Sequence, residues 1–189
     1  EIGAALTWPE LPMPAPACDL ASAYRALGGV LSTLEFLNAF ALQLKYERLY
    51  TLDDMALWLL GKGRAALHLA VELHAPLLAT LLEDDEENKV EFTQWLHMDL
   101  LDKYTFQAFL TQYLRSHTAF PEEHPAIVEA LETQLYLALS PEQRVQVLTF
   151  LIDQTMTCRA VRDCVEENLE EQAVYERDIT LTLSDIKDP

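Results

Sequence analysis

The side chains best placed to do chemistry in this chain are His68, Glu72 and His74, grouped within one short stretch. On a helix His68 and Glu72 share a face at i and i+4, whereas His74 falls about 200° further round than Glu72. That spacing fits neither the His-Glu-x-x-His zinc pattern nor the paired Glu-x-x-His of di-iron bundles, so surface or capping histidines are expected, not a metal site. Glu122-Glu123-His124 lies in a Pro-bounded turn and reads as a solvated loop. Glu83 to Glu87 is an unbroken acidic run that lacks the alternating ligands and central Gly of a calcium loop. Cys18, Cys158 and Cys164 are spaced for neither a disulfide framework nor a zinc pair, and read as small, reduced, mostly buried side chains of an intracellular protein. The glycines, Gly3, Gly28, Gly29, Gly61 and Gly63, cannot spell a Rossmann fingerprint, a P-loop or a Gly-x-Ser-x-Gly elbow. The residues therefore predict no catalytic group, no metal and no cofactor, and the expectation is that the chain is not an enzyme.

What positions the remaining side chains is a hydrophobic, acidic scaffold. Of 189 residues half are hydrophobic, and 31 Asp plus Glu stand against 13 Lys plus Arg for a net charge of -18. That is enough apolar material for one domain or two small packed subdomains. An acidic surface disfavours unaided binding to DNA or to an anionic membrane, because both repel it. The bases are scattered; the densest pairs are Lys62 with Arg64 and Arg159 with Arg162. Uninterrupted apolar runs fall short of the roughly 18 residues of a membrane helix, and Leu77 to Leu82 reads as a buried helix segment. No signal peptide is visible, and a first residue other than Met reads as an excised piece of a longer chain.

Residues 1–19 form a Pro-rich, extended lead-in, with Trp8, Leu11 and Met13 tacking it onto the domain surface. Asp19 then caps a long amphipathic helix that carries Leu20, Tyr24, Leu27, Leu31, Leu34, Leu37, Ala41 and Leu44. A turn at 45–50 leads to Thr51, which with Asp54 resembles a capping box opening a helix over 52–60. Gly28-Gly29 and Gly61 to Gly63 read as helix punctuation or loops. A Leu- and Ala-rich helix over 64–82 is expected to break or kink after Ala75, at Pro76. Helical spacing resumes from Glu91 to Tyr104 and again through Phe106, Phe109, Leu110, Tyr113 and Leu114. Trp58, Trp95, Phe106, Phe109 and Tyr113 recur at helical spacing and read as core. After a Pro-bounded turn at 120–125, an amphipathic helix spans 127–139. Ser140-Pro-Glu-Gln143 starts the next one with cap, N1 proline and box partner. A last helix covers 157–175, with Val161, Val165 and Leu169 on one side and acids on the other. Ile179 to Leu183 alternates apolar and β-branched polar residues and reads as a short terminal β-strand. It would pair with Ala5 to Trp8 or offer an edge to a partner strand.

Several of these segments, in this order, resemble a DDT domain followed by the first WHIM motif, as in accessory subunits of ISWI-type chromatin remodellers. The carrying stretches are Val30-Leu-Ser-Thr-Leu-Glu-Phe-Leu-Asn-Ala-Phe40, Tyr50-Thr-Leu-Asp-Asp-Met-Ala-Leu-Trp-Leu-Leu60 and the Leu-rich helix at 67–82. Leu139-Ser-Pro-Glu-Gln-Arg-Val-Gln-Val-Leu-Thr-Phe-Leu-Ile-Asp-Gln154 and Arg159-Ala-Val-Arg-Asp163 complete them. The resemblance spans roughly residues 20 to 172 and implies an all-α fold: a DDT-like bundle over 20–118 and a packed WHIM-like helical segment over 119–176, followed by a tail over 177–189. The Gly-x-Asp element of the later WHIM motifs is missing, so roles that depend on it are not carried over.

The same resemblance implies a nuclear, noncatalytic module of a remodelling complex that docks onto the basic C-terminal, SLIDE-type helices of an ISWI ATPase, with further subunits of the complex as additional partners. Direct DNA or nucleosome binding is the alternative. An acidic platform complements a basic helical partner. The candidate contact residues are Glu166, Glu167, Glu170 and Glu171 on the last helix, and Asp84, Asp85, Glu86 and Glu87 in the acidic run.

Overall fold

The computed structural model describes residues 20–61, 63–84 and 105–187, with side chains described only from residue 27 to residue 177 within them. Among the described residues the chain is all-α, with eight α-helices and no strand. They are α1 (Leu20–Ala39), α2 (Leu52–Leu60), α3 (Arg64–Asp84), α4 (Phe106–Ser116), α5 (Ala119–Glu123), α6 (Pro125–Thr133), α7 (Pro141–Thr155) and α8 (Arg159–Lys187), with a 3₁₀ turn at Tyr136–Ala138. The expected helix over 91–104 lies outside the described residues, as do Asp19, Cys18, Trp95 and the Pro-rich lead-in.

Two helix starts follow directly from local chemistry. Thr51 Oγ1 accepts from the Asp54 N–H at 3.2 Å while the Thr51 N–H donates to Asp54 Oδ2 at 2.9 Å. Ser140 and Gln143 make the same reciprocal pair at 3.2 and 2.9 Å, with Pro141 as the first helical residue. Each box satisfies two of the amides that a helix N-terminus otherwise leaves without partners.

Helix α7 is the hub of the core. It packs against α1, α2 and α3, while α4 packs against α3, α5 and α6. One continuous hydrophobic cluster runs from Val30 through Trp58, Leu73, Leu110, Ile127 and Leu148 to Val161. Where α1 crosses α7 the backbones come close enough that a Cβ on Gly29 would meet Val145 Cγ1 at 2.8 Å, whereas one on Gly28 would meet nothing. Gly28-Gly29 is thus neither a loop nor a helix end. It lies inside α1, and Gly29 is where two helices touch.

Several expected elements are moved. The buried side of α1 is Val30, Thr33 and Leu37; Leu27 and Leu31 are exposed, and α1 stops at Ala39, with Leu44 reaching the core from the turn that follows. The helix predicted over 127–139 ends at Thr133 and is followed by the 3₁₀ turn, and the loop predicted at 120–125 contains the short α5, whose Phe120 is buried. Ile179 to Leu183 is not a strand: it continues α8, which runs unbroken to Lys187. Residues 179 and 183 are also four apart, so a short run suits both periods, and a helix already propagating adds one hydrogen bond per residue without a partner strand.

Helix α3 is the one helix among the described residues that is long and apolar enough to cross a membrane by length and composition, and half of that apolar stretch is buried inside the molecule. It is the core helix, with Ala66, Leu69, Ala70, Leu73, Leu77, Leu78, Leu81 and Leu82 buried. Pro76 sits inside it without ending it. A proline has no N–H for the carbonyl four residues back, here Glu72. The turn between α1 and α2 supplies the missing donor. Tyr50 Oη donates to Glu72 O at 3.2 Å, and Tyr46 Oη donates to Leu73 O at 2.7 Å. Asn38 fixes that turn by pairing with both backbone groups of Tyr50, at 2.8 and 2.9 Å.

Candidate partner interface

The histidines are separated by the fold. His68 is exposed and pairs with Glu72 at 2.8 Å one turn on, as helical spacing predicts. Glu72 also meets Arg48 at 3.3 Å, and Arg48 forks onto Asp54 at 2.9 and 3.1 Å while lying 4.8 Å from the centre of the Tyr50 ring. That guanidinium, helped by Thr51, holds the Asp54 carboxyl down at about 2.

His74 is fully buried among aromatic rings. The Trp58 indole donates to Tyr136 Oη at 3.2 Å, Tyr136 Oη lies 3.0 Å from His74 Nε2, and His74 Nδ1 lies 2.7 Å from Ala70 O. An indole only donates, so the tyrosine accepts from it and passes its own proton toward Nε2, leaving Nδ1–H to donate to the carbonyl. Both ring nitrogens are thereby used, and the ring is neutral: burial lowers its pKa to about 4. The chain Trp58–Tyr136–His74–Ala70 ties α2, the 3₁₀ turn and α3 together. No group of three or more His, Cys, Asp or Glu that would hold a metal occurs among the described residues.

Arg144 is the interior residue that spacing gave no reason to single out. It is only 4% exposed. Its Nη1 donates to Trp58 O at 2.8 Å and Leu59 O at 3.1 Å, its Nε to Leu139 O at 3.1 Å, and its Nη2 to Leu137 O. These carbonyls close α2 and the 3₁₀ turn, ends that carry partial negative charge and lack intrahelical donors. A buried cation in an acidic protein is here paired with backbone carbonyls. Nothing in a lone Arg within Ser-Pro-Glu-Gln-Arg announces this; the signal lies in two helix ends that only the tertiary fold brings together.

The candidate contact residues divide into two groups. Glu166, Glu167, Glu170 and Glu171 are all exposed on α8. From Arg159 to Arg177 only Val161 is buried and Cys164 half-buried, so the helix leaves the body after its first turn and projects from it. Between Asp163 and Glu176 it carries six acids and no base, a formal charge of -6. Asp163–Glu167, Glu166–Glu170 and Glu167–Glu171 are like-charge pairs at i,i+4, each costing an isolated helix about 0.2–0.5 kcal/mol. Val161, Val165 and Leu169 continue the core register outward on the side away from most of these acids, Val165 and Leu169 exposed.

Asp84, also exposed, makes a contact within the fold as well. It is the last residue of α3, and its Oδ1 accepts from the Arg159 N–H, the first amide of α8, at 3.2 Å. Arg159 and Arg162 place positive charge at the already positive start of that helix, and Asp84 offsets it. The same carboxylate, after burial, helps push the neighbouring Cys158 thiol up to about 12, leaving it an inert core side chain. Asp85, Glu86 and Glu87 lie outside the described residues.

Comparison with known families matches residues 121–166 to the WHIM1 model, the first motif shared by proteins that include WSTF, Itc1p and MBD9. The matched segment comprises most of α5, all of α6, the 3₁₀ turn and α7, and the first turns of α8 as far as Glu166. No curated protein and no solved structure matches the chain.

Proposed function

From the WHIM1 segment, which points to a chromatin-associated module, we propose that this chain is a noncatalytic docking module of a chromatin-remodelling accessory subunit, working in the nucleus. Its partner is the basic, SLIDE-type C-terminal helical region of an ISWI ATPase. The observation that carries the reading is α8: it starts inside the WHIM1 segment, leaves the body, and presents Glu166, Glu167, Glu170 and Glu171 to solvent. The DDT-like stretches at 30–40 and 50–60, in their expected order ahead of that segment, support the same family of complexes. A platform of net charge -18 steers a basic partner toward it and gains rate and specificity more than raw affinity.

The test is capture of an ISWI ATPase from solution by the full chain. Capture is expected to weaken as salt rises. Reversing Glu166, Glu167, Glu170 and Glu171 to Lys is expected to abolish it, while reversing Glu122 and Glu123, exposed acids on α5, leaves it intact. Failure of the unaltered chain to capture the ATPase at low salt sinks the proposal.

A further inference from the structure

Two large apolar side chains stand among the acids of α8. Val174 is 55% exposed and Tyr175 69% exposed, and with Glu167, Glu170 and Glu171 they line one shallow depression on the projecting helix. Carboxylates alone would serve any cation. An apolar floor and an aromatic ring beside them narrow the choice, because a long basic side chain lays its methylene stem on apolar surface and keeps its charged head in the polar surroundings. A planar guanidinium also stacks flat on a tyrosine face and forks onto a carboxylate, whereas an ammonium meets ring and carboxylate only as a point charge.

We infer that the depression lined by Glu167, Glu170, Glu171, Val174 and Tyr175 is a seat for arginine side chains of a basic helix, with Tyr175 as the residue that selects arginine over lysine. The inference rests on the docking role proposed above for α8 and names its anchor. A second copy of the chain is not the occupant, since it would set the stretch from Asp163 to Glu176, of formal charge -6, against its equal. An arginine row on the partner places a cation between Glu167 and Glu171, which repel each other one turn apart, so binding also relieves the strain in α8.

The probes are fluorescent alanine-based helical peptides carrying arginine at every fourth position, and the same peptides with lysine, titrated into the full chain and read by anisotropy. The arginine peptide is expected to bind about five-fold more tightly than the lysine peptide. Tyr175→Leu, which keeps apolar area and charge but removes the ring, is expected to erase that difference; Tyr175→Phe is expected to keep it. Circular dichroism checks that the variants remain folded, which the exposure of this position favours. Equal affinity for the two peptides, or a preference that survives Tyr175→Leu, overturns the inference. The two ideas fail separately. An ISWI ATPase captured equally by the unaltered chain and Tyr175→Leu leaves the docking role standing and counts against the arginine seat. Tyr175-dependent arginine preference without ATPase capture does the reverse.

Discussion

His74 shows how much a single interior residue decides. Its imidazole is neutral in the fold, with a pKa near 4 against an ordinary value of 6.5. Between those values the unfolded chain takes up a proton that the folded chain refuses, so stability rises with pH across that window and is lost as pH falls from about 6.5 to about 4. The difference corresponds to about 3 kcal/mol. Asp54 titrates lower, from 3.8 to about 2, and its contribution is present above the upper value and lost as pH falls through the lower one. Urea unfolding of the wild type and His74→Gln across pH 7 to 4 is therefore expected to converge by about 3 kcal/mol, because the variant lacks that slope. Parallel curves would exclude the linkage. From sequence, the angular offset between Glu72 and His74 already separated the two histidines and argued against a metal. What it could not supply was Tyr136, brought to His74 from 62 residues away.

Among the elements, α3 and the turn before α2 stabilise each other through a defect. Pro76 withholds a donor from Glu72 O, and Tyr50 provides one. Removing that hydroxyl by Tyr50→Phe is expected to cost about 1 kcal/mol. In a Pro76→Ala background the new amide serves the same carbonyl, so the cost of Tyr50→Phe falls and the double-mutant cycle shows coupling of about 0.5 kcal/mol or more. Strict additivity in denaturant unfolding would show that the tyrosine does not replace the missing bond. Helix starts at Thr51 and Ser140 were legible because a cap and its partner three residues on are local chemistry. Whether α3 breaks or continues at Pro76 was not, since local rules allow a break or a kink and only the tertiary fold supplies the replacement donor. The strand expected at 179–183 failed for a related reason: alternation over five residues does not outweigh a helix already running into it.

For the whole molecule, the WHIM1 segment shares its core with the helices that precede it. Helix α7 lies in that segment, yet it packs on α1, α2 and α3, and Arg144 holds the end of α2 from 86 residues away. A fragment beginning at residue 119 is thus expected to lose most of its helical signal and to melt without cooperativity. The full chain should unfold in one urea transition, with tryptophan fluorescence and far-UV dichroism coincident. A cooperative melt of the fragment alone would refute the shared core. Net charge and the uneven placement of acids were readable in the chain from the start, and so was the outward side of Glu166 to Glu171 in outline. The task of Asp84 was not readable, because its neighbours in sequence are acids while its partner, the first amide of α8, lies 75 residues away.

That pairing has a mechanical side. Helix α8 is an arm, and it is seated on the body by Val161 in the core and by the Asp84 carboxylate on its first amide. A load applied by a partner gripping the outer turns enters the body at those two points and along the turn that precedes Arg159. One of them is the end of α3, so a pull on α8 reaches that core helix as well as the short turn that joins α7 to α8.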